Sequence, residues 1–138
     1  MDQRRLKSVA LFADLSGRDR RRVARWAEEW EIDRGEELVR QGEEANEFYV
    51  ITHGLAEVLV DGKPLTDLLP GQFFGEMALL LEGGRRNASV IAKSKIQVVS
   101  MSREGFHEMT RELPNVAERI RDVIHQRAEE LASRISPA

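Results

Sequence analysis

No cysteine occurs among the 138 residues of the chain, which excludes a disulfide framework and thiol chemistry. That composition suits a reducing compartment, and a cytoplasmic location is expected. Long apolar runs are absent as well. The N-terminal stretch MDQRRLKSVALFADL lacks the run a signal peptide needs, and no segment is apolar enough to span a bilayer. There is no internal repeat and no low-complexity segment. The chain also lacks a basic excess: its net charge is −3, which argues against a nucleic-acid binder. No phosphate-loop motif of the GxxxxGK[ST] kind occurs. The three histidines, His53, His107 and His125, are widely separated and show no metal-ligand spacing. A metalloenzyme therefore has little to work with, and no catalytic role is expected.

What remains is ordinary globular material, with 41% apolar and 33% charged residues. The length fits one domain over residues 1–138, enough for a single hydrophobic core. One stretch breaks the charge balance: Arg18 to Arg25, RDRRRVAR, holds five arginines in eight residues. It reads as a solvated helix face, with contact to phosphates or anionic lipid as the lesser reading.

Residues 1–26 read as helical. Leu6, Val9, Ala10 and Leu11 stand at helix-face spacing, and Ser16 with Asp19 marks a capped start. A helix from Gly17 to Trp26 would turn Val23 and Trp26 inward and the arginines outward. From about residue 27 to 101 short apolar stretches recur between turn residues such as Gly35, Gly42, Gly54 and Gly71. Phe48 to Ile51 is a buried-strand run, and Ala56, Val58 and Val60 alternate as a half-buried strand does. Asp61-Gly62 signals a tight hairpin, because both residues tolerate positive φ. Ile96 to Met101 reads as one further strand. The spacing predicts an antiparallel sandwich, roll or barrel.

Residues 102–135 turn helical again. Ser102 is placed as an N-cap for a helix carrying Phe106 and Met109, and Pro114 suits the first turn of a final helix. There Ala117, Ile120, Ile124, Ala128, Leu131 and Ile135 form one apolar stripe. Its partner is either its own β-structure or the same helix of a second copy.

The segment FGEMALLLEGGRRNASV, residues 74–90, carries the chemistry. A short helix beginning near Glu76 would aim unpaired N–H groups and the positive end of its dipole at an anion. Gly75 allows the backbone to bend and a ligand to come close. A carboxylate only accepts hydrogen bonds, so a sugar hydroxyl is the natural partner of Glu76. Arg86 offers a planar fork of donors matched to phosphate oxygens, and small Ala88 leaves its own N–H accessible to them. A sugar carrying a compact phosphate is the implied ligand. The plain alternative is a Glu76–Arg86 ion pair that pins the loop.

Two stretches, LVRQGEEANEFYVITHG (38–54) and FGEMALLLEGGRRNASVIA (74–92), resemble the cyclic nucleotide-binding domain family. That family serves catabolite-type regulators, kinase regulatory subunits and gated channels. The resemblance implies a mainly β fold: an eight-stranded antiparallel β-roll of jelly-roll type, with N-terminal helices and two C-terminal helices. It implies that Glu76 takes the ribose 2′-hydroxyl and Arg86 the cyclic phosphate. Gly75, Met77, Ala78 and Ala88 would line the phosphate, and Val90 would border base or sugar. Asn87 departs from the family, which has serine, threonine or alanine there. Its amide can still donate, and the change tilts the expectation towards cyclic AMP over cyclic GMP. The implied role is a sensor in which a cyclic nucleotide moves the C-terminal helices. The other reading is a nucleotide-free module acting in dimerisation or partner docking. A protein partner of unknown identity and a homodimer through the final helix are expected. Because the chain stops at Ala138 without a helix-turn-helix, direct DNA binding is not.

Overall fold

The computed structural model describes residues 1–75 and 84–135. Within them a short 3-10 segment (Gln3–Ser8) precedes helix α1 (Gly17–Trp26). Then come eight strands: β1 (Ala27–Ile32), β2 (Glu37–Val39), β3 (Glu47–His53), β4 (Ala56–Val60), β5 (Lys63–Leu68), β6 (Phe73–Phe74), β7 (Ser89–Ala92) and β8 (Ile96–Ser102). Helices α2 (Arg103–Glu112) and α3 (Pro114–Ile135) close the chain. The expected mainly β roll with helices at both ends is the fold observed. No helix among the described residues is long and apolar enough to cross a membrane.

The strands form two four-stranded antiparallel sheets, β1-β8-β3-β6 and β2-β7-β4-β5. Their facing surfaces enclose one core of Ile51, Ala56, Leu68, Phe74, Val90, Ala92, Ile96 and Val98. The outer face of the first sheet meets the helices in a second core, where Phe48, Val50, Val99 and Met101 pack on Val23, Phe106, Met109 and Ile120. Strand alternation divides β3 between the two: Phe48 and Val50 face the helices, and Ile51 faces the roll. A sheet buried on both faces needs apolar residues at consecutive positions, which is why Phe48 to Ile51 reads as an unbroken apolar run.

Local signals in the sequence act as expected at the element ends. Ser16 Oγ accepts from the Asp19 N–H at 3.1 Å, starting α1, and Ser102 Oγ accepts from the Gly105 N–H at 3.1 Å, starting α2. The β4–β5 turn has φ of 53° at Asp61 and 77° at Gly62, the pair of positive values that matches strand twist. Gln41 holds that turn from outside, donating from Nε2 to Asp61 Oδ1 at 3.0 Å and accepting from the Asp61 N–H at 2.8 Å.

One expectation near the N-terminus needs correction. Leu6, Val9 and Leu11 are buried, but Ala10 is exposed and Phe12 is fully buried instead. The segment is a 3-10 helix that ends at Ser8, with about three residues per turn, so a 3.6-residue face does not apply. In the last helix Ala117 and Ile120 are buried against the helical core, and Ile124 packs on it partly exposed. That part of the stripe therefore has its own domain as partner. The side chains of Ala128, Leu131 and Ile135 lie outside the described residues.

Candidate functional site

The site is assembled where β6 ends and β7 begins. Phe74 stacks on Tyr49 with ring centroids 5.0 Å apart and an interplanar angle of 15°. Gly75 follows with φ of +93°, a conformation that side-chain-bearing residues avoid. The chain returns at Gly84 and runs Arg85-Arg86 antiparallel to the 42–45 loop. The Arg86 N–H donates to the Glu43 carbonyl at 2.9 Å, and the Gly42 N–H donates to the Arg86 carbonyl at 2.8 Å. Arg85, by contrast, is exposed and donates to the Gly42 carbonyl at 3.1 Å.

Arg86 is one of the chain's buried charged groups, only 6% exposed. Burial of a guanidinium is costly unless its donors are engaged. Here Nη2 donates to the Glu47 carbonyl at 2.6 Å and Nη1 to the Gly75 carbonyl at 3.4 Å. Its Cζ lies 6.0 Å from the centre of the Tyr49 ring. The arginine expected to meet a phosphate is thus held by two backbone oxygens and an aromatic face. Tyr49 is held too, its hydroxyl donating to the Glu47 carboxylate at 2.5 Å. Burial first, and that hydrogen bond second, push its phenol well above the ordinary tyrosine range.

The other candidates divide into three groups. Glu76, Met77 and Ala78 lie outside the described residues. Gly75 and Arg86 are brought into contact. Asn87 is exposed, while Ala88 is half-buried and Val90 is buried in the roll core. Val90 stands opposite Val39 on β2 and Val58 on β4, so it forms part of the inner wall. Asn87 makes no side-chain hydrogen bond among the described residues and does not fill the roll interior.

Contacts from two arginines that the sequence reading did not assign, Arg103 and Arg127, connect this site to the helices. The Arg103 N–H donates to the Asn46 carbonyl at 2.9 Å, and its Nη2 donates to the Ala45 carbonyl at 2.6 Å. The loop that carries Arg86's backbone partners is therefore also fastened to the first residue of α2. From α3, Arg127 donates to the Phe73 carbonyl and lies over the Phe73 ring at 5.0 Å. Phe73 is two residues ahead of Gly75. Among the described residues no cluster of histidines or carboxylates is placed to hold a metal ion.

Comparison with known proteins bears on this arrangement. The profile of the cyclic nucleotide-binding domain matches residues 29–112, which includes β2 to β8, the whole of α2 and the last four residues of β1. The cAMP-dependent protein kinase regulatory subunit of Emericella nidulans is 30% identical over 116 residues, 83% of this chain but 28% of that protein. The solved regulatory domain of Toxoplasma gondii PKA, co-crystallised with cAMP, superposes with a TM-score of 0.74 at 26% identity. That alignment covers 93% of this chain and 48% of the other. The Thermus thermophilus catabolite activator protein superposes with a TM-score of 0.79 at 25% identity, covering 91% of this chain and 61% of its own. This chain thus spans under a third of the length of the fungal kinase subunit it resembles. By sequence profile and by fold, it belongs to the cyclic nucleotide-binding domain family.

Proposed function

We propose that residues 1–138 form one sensor unit that binds a cyclic nucleotide, cyclic AMP in preference to cyclic GMP, and has no catalytic role. Arg86 is the phosphate ligand, because a guanidinium buried to this degree and aimed by two carbonyls is already oriented for a bidentate anion. Orientation before binding removes part of the entropic cost of association. Gly75 and the N–H groups of Met77, Ala78 and Ala88 complete the phosphate seat. Glu76 takes the ribose 2′-hydroxyl, and Val90 belongs to the apolar wall beside base or sugar. Asn87, being exposed, leaves the interior open to the ligand and its amide at the rim. Isothermal titration with both nucleotides, side by side, tests the reading. Saturable binding of cyclic AMP, tighter than that of cyclic GMP, is expected. No heat and no rise in melting temperature with either would return the chain to the nucleotide-free reading, in which Arg86 only clamps the 42–47 loop.

The output runs through the two closing helices. A ligand moves an equilibrium only as far as it binds one arrangement better than another. Arg127 is the residue through which α3 senses the start of the phosphate segment, since it grips both the carbonyl and the ring of Phe73. Removing it leaves the roll and Arg86 in place, so its effect is one of coupling. Arg127→Ala is expected to change cyclic AMP affinity by about twofold to thirtyfold, the range of couplings near 0.5–2 kcal/mol. Unchanged affinity and an unchanged helix signal on binding would show that α3 does not take part.

A further inference from the structure

Both tryptophans of the chain, Trp26 and Trp30, lie in one surface groove of about 700 Å3 along β1 and the start of α2. Trp30 is 51% exposed, its indole N–H held by Ser100 Oγ at 2.8 Å. Trp26 donates to the Glu108 carboxylate at 3.0 Å. The groove also carries Glu28, Glu36 and Glu104, exposed carboxylates that enter no ion pair or hydrogen bond among the described residues. Exposed indole is costly to keep in water and is enriched where proteins meet. Ringed by carboxylates, this indole fits a cationic partner, and arginine best, since a guanidinium both pairs with carboxylates and stacks on indole.

The same chain carries the complementary surface next door. An open basin of about 910 Å3 is lined by Arg18, Arg21, Arg22 and Arg25, with no carboxylate in its wall. Their spacing in sequence puts all four on one face of α1. Arg22 is paired with Asp19 and Glu112, but the side chains of Arg18, Arg21 and Arg25 take part in no ion pair or hydrogen bond among the described residues. Arg25 borders both the basin and the groove, so the two patches lie side by side. Three unpaired arginines and three unpaired glutamates therefore share one surface of one molecule.

We propose that this surface joins two copies of the chain in a two-fold dimer, the arginine face of each α1 seated in the tryptophan groove of the other. Adjacent patches of opposite sign are self-complementary about a two-fold axis, because each copy offers what the other lacks, and the contact is made twice. The occupant is a second copy and not a nucleic acid, since the acidic groove beside the basin would repel a polyanion and the net charge is −3. The surface is separate from the stripe on α3; its groove reaches Glu47 and Tyr49, which hold Arg86, but Arg86 itself is not in its wall.

Sedimentation of the full chain tests this. A dimer is expected at about 0.1 M salt, weakened at least about tenfold at about 1 M, where the screening length falls from about 10 Å to about 3 Å. The triple variant Arg18→Glu/Arg21→Glu/Arg25→Glu should be monomeric, and so should Glu28→Arg/Glu36→Arg/Glu104→Arg. An equimolar mixture of the two should form a heterodimer, because each reversed patch then meets its opposite. Circular dichroism melting confirms that each variant is folded. If either fails to fold, Trp30→Ala carries the test, and a dimer as tight as wild type overturns the proposal. So does a monomeric wild type, an arginine variant that still dimerises, or two folded variants that ignore each other.

Discussion

Arg86→Ala lowers affinity for cyclic AMP by at least about a hundredfold. The expectation follows from what the substitution leaves behind. A cyclic phosphate seated against Gly75 would be largely desolvated, and an anion left without its cationic partner costs roughly 3–5 kcal/mol. At 1.4 kcal/mol per tenfold change, even the lower end of that range exceeds two decades. The structure adds a second effect, independent of ligand. The Glu47 and Gly75 carbonyls lose the donors that Arg86 now supplies at 2.6 Å and 3.4 Å. A fully buried acceptor left unmatched costs about 1–3 kcal/mol; these two bonds are partly buried and cost less, and the empty variant should melt somewhat earlier. Calorimetry and thermal melting separate the two roles. Equal affinity in wild type and variant removes Arg86 from the ligand site. A lower melting temperature with unchanged affinity would make it a structural clamp.

Gly75→Ala should damage the same site from the other side of the contact. With φ of +93° the backbone at this position lies where a Cβ is strained whatever the surrounding space. The surrounding space is also filled: an added methyl would overlap the Arg86 guanidinium and stand 3.0 Å from the Glu47 carbonyl oxygen. Either the guanidinium is pushed from its seat or the turn opens. A stability loss of about 1–3 kcal/mol is expected from the backbone alone. With it goes a loss of cyclic AMP affinity comparable to that of Arg86→Ala, because the arginine can no longer hold its orientation. Gly71→Ala is the control, since it shares the positive φ, at 91°, but has nothing within reach of a Cβ. It should lose stability and keep affinity. Wild-type affinity in Gly75→Ala would show that the Gly75–Arg86 contact is irrelevant to binding.

The parts of this molecule that could be read from sequence are those in which a side chain acts on its own neighbourhood. Ser16 and Ser102 cap helices from three residues away, and Asp61-Gly62 signals its turn through its own tolerance of positive φ. Arg86 was legible as a phosphate candidate because its side chain type and the flanking glycine and alanine speak for themselves. Its actual seat was not legible. The oxygens that orient it belong to the backbones of Glu47, 39 residues earlier, and Gly75, 11 residues earlier, and a carbonyl has no signature in a sequence. The same holds for Arg127, whose partner is the carbonyl of Phe73, 54 residues away. Arg103 looks like a first-turn helix residue, and only the fold brings it to Ala45. Tyr49 stood inside a run assigned wholly to the core, yet alternation turns it towards Phe74 and Arg86 while Phe48 faces the helices. In the N-terminal segment the fault lay in the period: a 3-10 turn replaced the α-helical one, so Phe12 took the place expected of Ala10.

Phe73 and Phe74 are consecutive residues on the two-residue strand β6, yet they belong to different cores, one with the helices and one inside the roll. The strand lies at the margin of its sheet, paired with β3 alone. A short rod fixed along one side and loaded on both faces behaves as a rocker. Any tilt that presses Phe74 deeper among the roll residues lifts Phe73 away from Phe48, and the reverse tilt does the opposite. A displacement carried from one core to the other through this strand would therefore arrive with its sense reversed, over the thickness of a single peptide.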